Sequence, residues 1–201
     1  MDKKTLLVGF GSFLLILAVG AAVFLFTTPA SFRGTTYDKP YPPASEFELT
    51  RSDGSSFRLS ETRGNVVLLF FGYTSCPDVC PTTMAELKQV VSELSPKDAD
   101  QVKVLFVTVD PKRDTPERAQ TYVGRFNPAF IGLSGTEAQL DKVWQAYGIY
   151  RLDVPGTSSD NYSVDHTARI TMIDRDGNMR VSFGFDAPVE DIVHDIGLLL
   201  K

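Results

Sequence analysis

Two apolar runs, each followed by a helical pattern, limit the folds that this chain can adopt. The first run, VVLLFF, covers residues 66–71, and the second, VKVLFVTVD, ends at Asp110. A strand that is apolar on both faces is typical of the interior of a parallel sheet with helices on both sides. A helix is predicted over residues 80–94 after the first run, and another begins at Thr115-Pro116 after the second. This alternation predicts an α/β fold with a mainly parallel central sheet flanked by helices.

Short turn sequences predict a β-hairpin at each end of this unit. Asp53-Gly54 separates two short strand-like segments and indicates the N-terminal hairpin. Asp176-Gly177-Asn178 separates ARITMID from MRVSFGF and indicates the C-terminal hairpin. Thr136 caps a further helix, and residues 188–200 form the last, amphipathic helix. The chain between the Thr136 helix and the C-terminal hairpin is predicted to be a long polar loop.

The N-terminal residues predict a membrane anchor. Residues 5–26 contain no charged side chain, and a helix of this length, at about 1.5 Å per residue, spans a hydrocarbon core of roughly 30 Å. The two lysines just before it place residues 1–4 in the cytoplasm and the rest of the chain outside. A cleaved signal peptide is the alternative, but its apolar region is usually shorter. Residues 27–45 are rich in proline and are predicted to be an extended linker, which leaves residues 46–201 as the folded domain.

Cys76 and Cys80, the only two cysteines, lie where the first apolar run gives way to its helix, in FFGYTSCPDVCPTTM. Sites in open α/β sheets form at the carboxyl ends of strands. Two sulfurs at i and i+4 project from one face, and a helix N-terminus favours the thiolate over the thiol. A disulfide between them would close a very short loop and add little stability. The pair is therefore interpreted as a redox-active dithiol or as part of a metal site, rather than as a structural bridge.

A histidine is the obvious third ligand for a two-sulfur metal site, and the chain contains two. His166 directly precedes the first strand of the C-terminal hairpin, and in a thioredoxin-like fold that approach faces the cysteine loop. Its neighbour Asp165 is expected to orient the imidazole by a hydrogen bond. His194 falls in the last helix, where a surface or boundary position is expected.

Three motifs, FGYTSCPDVCP, VDPKRDTPE and VDHTARITMID, occur in this order and resemble the Sco/SenC family of copper-binding assembly proteins. The resemblance extends from about Pro42 to the C-terminus and implies a thioredoxin-like fold. It also implies that copper(I) and copper(II) are bound by both cysteines and the downstream histidine, here Cys76, Cys80 and His166. Ser75 stands where many members have histidine, but that position is not a ligand in the family.

The chemistry of these residue types agrees with a copper site. Thiolates are soft and select copper(I) or zinc, and imidazole suits copper in either oxidation state. Zinc is the rival, but a closed structural zinc site needs a fourth protein ligand. The same two cysteines lie one helical turn apart, so a Cys76–Cys80 disulfide can form when the protein is oxidised. Oxidation and copper binding are then mutually exclusive, because the metal needs the thiolates.

The family delivers copper, or prepares cysteine thiols, for the dinuclear copper centre in subunit II of cytochrome c oxidase. The resemblance therefore implies a membrane-anchored copper metallochaperone rather than an enzyme. Its expected partners are oxidase subunit II and a periplasmic copper donor, and its expected location is a bacterial inner membrane with the domain on the periplasmic side. A net charge of -5 without a basic cluster argues against nucleic acid as a partner.

Two other functions remain open from the sequence. One is a thiol–disulfide oxidoreductase that reduces the cysteines of the copper-site precursor, and the other is a redox or copper sensor. Two features favour the carrier over the oxidoreductase. Three residues separate the cysteines, whereas thioredoxin-type enzymes generally have two. Those enzymes also have a proline just before the strand that faces the cysteines, and this sequence has none there. Asp110 and Asp114 form an acidic pair near the site in the family, but turn formation and helix entry are the favoured interpretation here.

Overall fold

The computed structural model describes residues 31–158 and 161–201, together with Leu17. The strands are β1 (Thr35–Thr36), β2 (Glu48–Thr50), β3 (Ser56–Arg58), β4 (Val66–Gly72), β5 (Val102–Thr108), β6 (Ile131–Leu133), β7 (Arg151–Ser158), β8 (Asn161–His166), β9 (Arg169–Ile173) and β10 (Met179–Gly184). The α-helices are α1 (Val79–Glu93), α2 (Pro96–Ala99), α3 (Pro116–Gly124), α4 (Glu137–Ala146) and α5 (Val189–Leu199), and a 3-10 turn covers Leu59–Thr62. The anchor predicted over residues 5–26 lies outside the described residues apart from Leu17. Within the described part of the chain, no helix is both long and apolar enough to cross a membrane.

The central sheet has six strands in the order β1-β10-β9-β4-β5-β6. Strands β4, β5 and β6 run parallel, whereas β9 is antiparallel to β4, β10 to β9 and β1 to β10. The sheet is therefore mixed, and the prediction of a mainly parallel sheet was wrong. The reason is that the C-terminal hairpin joins the free edge of β4 instead of standing apart, and the two strands of a hairpin must run antiparallel.

Strand β4 lies at the centre of this sheet, and all seven of its residues are buried. It pairs with β5 on one edge and with β9 on the other. Phe70 and Phe71 point to opposite faces, so the strand contributes a large aromatic side chain to each side of the core. Helix α1 buries Met84 and Leu87 and packs against α5. The apolar run that predicted a central strand is thus confirmed as one.

Both predicted hairpins are present, but the predicted polar loop is a third one. Strands β2 and β3 form a separate two-stranded sheet, and β9 and β10 form the C-terminal hairpin. Strands β7 and β8 occupy the region predicted to be a loop and form another two-stranded antiparallel sheet, in which Arg151 faces His166. The prediction failed because one face of this hairpin is exposed, and its sequence lacks the apolar run of a buried strand.

The segment predicted to be a linker is partly bonded to the domain. Thr35 in β1 pairs with Ser182 in β10, and the Ala44 N–H donates to the carbonyl of Gly177 at 2.9 Å. Ala44 is itself buried. The compact unit begins at Phe32, so this unit includes the later part of the predicted 27–45 linker.

A buried carboxylate ties the first residues of this unit to the last helix. Asp195 in α5 is fully buried. It accepts hydrogen bonds from the backbone N–H groups of Arg33 and Gly34, each at 3.0 Å, and its Oδ1 lies 2.9 Å from Nδ1 of His194. Strand β1 is only two residues long and forms few ladder hydrogen bonds. The hydrogen bonds to Asp195 are therefore an important part of the attachment of the N-terminal segment.

We predict that Asp195→Ala lowers the free energy of unfolding by about 2 kcal/mol, because it removes a buried carboxyl acceptor and leaves two part-buried N–H groups without their partner. The measurement is urea unfolding of the full chain in detergent. The matched control is Asp191→Ala in the same helix, which removes an exposed ion pair with Arg33 and should cost at most about 1 kcal/mol. Equal losses in the two variants would contradict the role given to Asp195.

Candidate metal centre

The cysteine loop starts where β4 ends, and a glycine at that point makes room for one of the sulfurs. A Cβ atom at Gly72 would lie 2.9 Å from ring carbons of Phe70 and Phe106, and 3.1 Å from Sγ of Cys80. Such distances are too short for a side chain in a core packed at normal density. Gly72 therefore allows Cys80 to be buried directly against the end of the central strand.

The sulfur of Cys76 takes part in starting the helix that follows. Helix α1 begins at Val79, and its N-cap residue Asp78 makes no side-chain capping hydrogen bond. Instead, Sγ of Cys76 accepts a hydrogen bond from the N–H of Cys80 at 3.4 Å. The N–H groups of a first helical turn lack partners within the helix and form the positive end of its dipole. A thiolate at Cys76 is stabilised by this position.

The two cysteines differ in exposure and in protonation. Cys76 is half-buried, Cys80 is buried, and neither is disulfide bonded in the structure. A hydrogen bond from the thiol of Cys80, together with the backbone N–H groups of Cys80 and Asp78, lowers the pKa of Cys76 to about 5, although partial burial opposes the shift. The same hydrogen bond and burial raise the pKa of Cys80 far above its usual range. At neutral pH the pair therefore holds one negative charge and one proton.

His166 meets the buried cysteine, as the sequence predicted. It is the last residue of β8, and its Nε2 atom lies 3.7 Å from Sγ of Cys80. Its Nδ1 atom lies 3.2 Å from the carbonyl oxygen of Thr167. Because a carbonyl oxygen can only accept, Nδ1 carries the proton, and the lone pair of Nε2 points to the cysteine. Burial lowers the pKa of His166, which keeps the imidazole neutral and able to bind a metal at neutral pH.

The residue predicted to orient this ring, Asp165, does not do so. Asp165 lines the same cleft as Cys76 and His166, but among the described residues the partner of the imidazole Nδ1 is the carbonyl of Thr167 and not the carboxylate of Asp165. Asp165 is exposed and lies opposite Leu152 in the hairpin. The backbone carbonyl of Thr167 holds the ring in its place. The prediction failed because it treated this stretch as an approach to a strand, whereas His166 lies in a strand of its own.

The three candidate ligands come together beside one open cleft. Cys76 and His166 line it with Tyr73, Val154 and Ala168, and its volume is about 320 Å³. The ring of Tyr73 meets the imidazole edge-on at 5.9 Å between centroids. Within residues 31–158 and 161–201, no group of three or more histidine, cysteine, aspartate or glutamate side chains is arranged so that it could hold a metal ion as it stands. Binding by all three therefore requires their side chains to shift.

Asp110 and Asp114 are both fully buried and fix the loops around the site. Asp114 accepts hydrogen bonds from the N–H of Thr74 at 2.9 Å and from Oγ1 of Thr108 at 2.8 Å. It thus joins the cysteine loop to the end of β5, and burial raises its pKa. The N–H of Asp114 donates to the carbonyl of Asp110, and Thr115 caps α3 through the N–H of Arg118. The two aspartates therefore form a turn at the entry to α3, as interpreted from the sequence. In addition, the hydrogen bond from Thr74 to Asp114 joins this turn to the cysteine loop.

The remaining sequence candidates lie apart from the sulfurs. His194 faces Asp195, which agrees with the boundary position expected for it. The hydroxyl of Ser75 accepts a hydrogen bond from Nη2 of Arg118 at 2.9 Å. Sequence reasoning missed Tyr73, although it lies in the same motif as the cysteines, because only the sulfurs and the imidazole carry ligand chemistry.

We predict that Cys76 reacts with iodoacetamide as a thiolate, with a rate that rises as the pH passes through about 5 and levels off near neutral pH. Cys80 should remain unmodified under the same conditions, because it is buried and protonated. The measurement is the alkylation rate against pH, with mass spectrometry to locate the label.

Two variants test the cause of this shift. Cys80→Ala removes the thiol that donates to Cys76, so the midpoint should move up towards the ordinary cysteine value of about 8.5. Cys80→Ser retains a donor and should give an intermediate midpoint. If the midpoint of Cys76 stays the same in both variants, the hydrogen bond from Cys80 is not the cause.

Two comparisons of the amino-acid sequence with known proteins identify the same family. The family model for SCO1/SenC matches residues 35–201. The SCO2-like protein of Rickettsia felis is 34% identical over 190 residues, which cover 94% of this chain and 90% of that protein.

Solved structures agree with the fold described above. The solution structure of apo Sco1 from Thermus thermophilus matches with a TM-score of 0.78 and 37% identity, covering 86% of this chain and 99% of that chain. The structure of ScoI from Bradyrhizobium japonicum with copper bound matches with a TM-score of 0.72 and 39% identity, covering 79% and 99%. The mixed sheet with its helices is thus the thioredoxin-like fold of Sco proteins. The chain belongs to the SCO1/SenC family.

Proposed function

We propose that this protein is a copper metallochaperone that supports assembly of the dinuclear copper centre in subunit II of cytochrome c oxidase. The observation that carries the proposal is the contact of His166 with Cys80, beside a Cys76 sulfur that is already a thiolate at neutral pH. The copper in the structure of the related Bradyrhizobium japonicum ScoI supports the choice of metal. The oxidase as target rests on the resemblance to the Sco/SenC family.

The three side chains suit copper in both oxidation states. Two thiolates and an imidazole satisfy copper(I), and copper(II) can complete four-fold coordination with a further ligand from the open cleft. Of the three, Cys76 and His166 offer free lone pairs at neutral pH, whereas Cys80 must lose its proton. Copper loading therefore releases a proton mainly from Cys80. The open cleft leaves a path for the metal to pass to a partner.

The location is part of the proposal. Residues 5–26 serve as an uncleaved anchor in a bacterial inner membrane, with the metal centre on the periplasmic side, where a copper donor loads it. The support is the uncharged length of this segment and the two lysines before it. Mass spectrometry of the membrane-extracted protein should find the chain intact from its N-terminus. A mature form that starts near Ala30 would contradict the anchor.

The thiol chemistry of the site favours one alternative, a thiol–disulfide oxidoreductase acting on the precursor of the copper centre. In that reaction the Cys76 thiolate attacks a disulfide of the target, which releases one target thiolate and leaves a mixed disulfide. Cys80 then loses its proton and attacks Cys76, which releases the second target thiolate and leaves the Cys76–Cys80 disulfide. The low pKa of the half-buried Cys76 fits the attacking group. A redox or copper sensor would use the same states without handing anything on.

We predict that His166→Ala separates the carrier from the oxidoreductase. The variant should lose stable copper(II), because copper(II) prefers four-coordinate sites with nitrogen, and should bind copper(I) more weakly through its two sulfurs. The Cys76–Cys80 disulfide should still form, because both cysteines are held by β4 and α1. The measurements are anaerobic copper titrations of the full chain in detergent, thiol counts, and the copper content of the oxidase in cells that carry the variant.

The wild-type chain provides the controls. Reduced protein should bind one copper(I) per chain, and protein oxidised beforehand should bind almost none, because both sulfurs are ligands. His194→Ala removes the other histidine and should leave copper binding and oxidase assembly unchanged. If His166→Ala restores a fully metallated oxidase as well as the wild type does, the carrier is refuted and the oxidoreductase is favoured.

A further inference from the structure

The metal centre is assembled from two parts of the fold that share no strand pairing. Cys76 lies in the loop between β4 and α1, and Cys80 lies in the first turn of α1; this strand and helix belong to the central sheet and its helical cover. His166 lies at the end of the β7–β8 hairpin, a separate two-stranded sheet. The position of the imidazole relative to the sulfurs therefore depends on the side chains that hold the hairpin to the rest of the domain.

Three residues form one of these attachments through several contacts. Arg113 donates from Nη1 to the carbonyl of Tyr162 at 2.8 Å, and its guanidinium lies 3.7 Å from the centroid of the Tyr162 ring. The hydroxyl of Tyr162 donates to Oδ1 of Asp110 at 2.7 Å, and Nε of Arg113 is paired with the same carboxylate. These three residues, Asp110, Arg113 and Tyr162, are called the clamp below.

The clamp is mostly removed from water, which makes its contacts strong. The Asp110 side chain is fully buried, and that of Arg113 is 21% exposed. An arginine that stacks on an aromatic ring while it pairs with a carboxylate is held in one orientation. Removing the arginine would leave the buried carboxylate without its cation, so the loop and the hairpin would lose their common partner.

Strand geometry connects the clamp to the imidazole. Tyr162 and His166 are four residues apart in β8, about 13 Å along an extended chain, and their side chains point to the same face. At the His166 end, the cross-strand partner Arg151 donates from Nε to the carbonyl of Val109 at 2.8 Å. The hairpin is thus fastened at both ends of this stretch to residues 109–113, the segment that follows β5.

We propose that the clamp positions His166 as the third copper ligand, with Arg113 as its central residue. The inference rests on the proposed function, since it assigns a role at the copper site. The competing account is that the clamp only stabilises the fold, in which case its loss would affect every property of the site alike. A role through His166 affects only those properties that need the imidazole.

The test is a double-mutant cycle on the full chain in detergent, with copper(I) as the probe, because the two sulfurs of the His166→Ala chain still bind it. Arg113→Ala should weaken copper(I) binding by roughly ten- to a hundredfold, the usual range for residues that orient a ligand. With His166 present, it should also reduce the nitrogen hyperfine signal of the copper(II) electron paramagnetic resonance spectrum. In a His166→Ala background, the same substitution should change copper(I) affinity by no more than about twofold, because the ligand it positions is absent.

A metal-free measurement supports the cycle. Amide hydrogen exchange should become faster in β7 and β8 when Arg113 is replaced, and should stay unchanged in β4 and β5. Arg58→Ala is the matched control, because it removes an arginine from an exposed ion pair with Glu48 on the β2–β3 hairpin. This variant should alter neither copper binding nor exchange in β7 and β8.

Tyr162→Phe keeps the proposal testable if Arg113→Ala does not fold. It removes only the hydroxyl that bonds Asp110 and retains the stacked ring, so it should weaken copper(I) binding to a smaller degree, again only when His166 is present. An unchanged copper(I) affinity, or an equal loss in the His166 and His166→Ala backgrounds, would overturn the positioning role. A wild-type chain that binds no copper would overturn the proposed function, and this inference with it.

Discussion

The placement of the two cysteines at the end of the central strand and the start of α1 is the constraint on which the chemistry of this site depends. Its origin is structural, because Gly72 lets Cys80 lie buried at the end of the central strand, while the start of α1 leaves Cys76 half-exposed. This placement lowers the pKa of Cys76 and raises that of Cys80, so that charge and proton are divided between two otherwise identical groups. An exposed thiolate receives a metal or attacks a disulfide, and a buried thiol holds a proton that either reaction must remove.

The two halves of the site differ in how firmly the fold holds them. Cys76 lies in the loop that follows β4, a fully buried strand, and Cys80 lies in the first turn of α1, where its N–H donates to the sulfur of Cys76. The imidazole stands on a hairpin with its own hydrogen bonds and with side-chain contacts to the rest of the domain. Such a division suits a metal carrier, because two sulfurs can retain copper(I) while a third ligand is exchanged for one from a partner.

The sequence contained most of this site but only part of the fold that supports it. The run at residues 66–71 predicted a central strand because no exposed strand is apolar on both faces, and the motif predicted Cys76, Cys80 and His166. The direction of β9 was missed, because an apolar run carries no information about the direction of its neighbour. The β7–β8 hairpin was missed because its exposed face gives it a polar sequence. The role predicted for Asp165 was wrong for the same reason. From the sequence, Asp165 and His166 were expected just before a strand, whereas both lie in β8.

The two buried aspartates of the DPKRD segment gain a joint interpretation from these contacts. Asp114 bonds Thr74 in the cysteine loop, and Asp110 bonds Tyr162 in the hairpin that carries the imidazole. The two carboxylates lie in one turn, closed by a backbone hydrogen bond between them at 2.9 Å. A single short turn after β5 is therefore bonded to both halves of the candidate metal centre, through buried carboxyl groups that are costly to leave unpaired. Neither aspartate needs to touch a metal to matter, because their turn bonds both the cysteine loop and the hairpin that carries the imidazole.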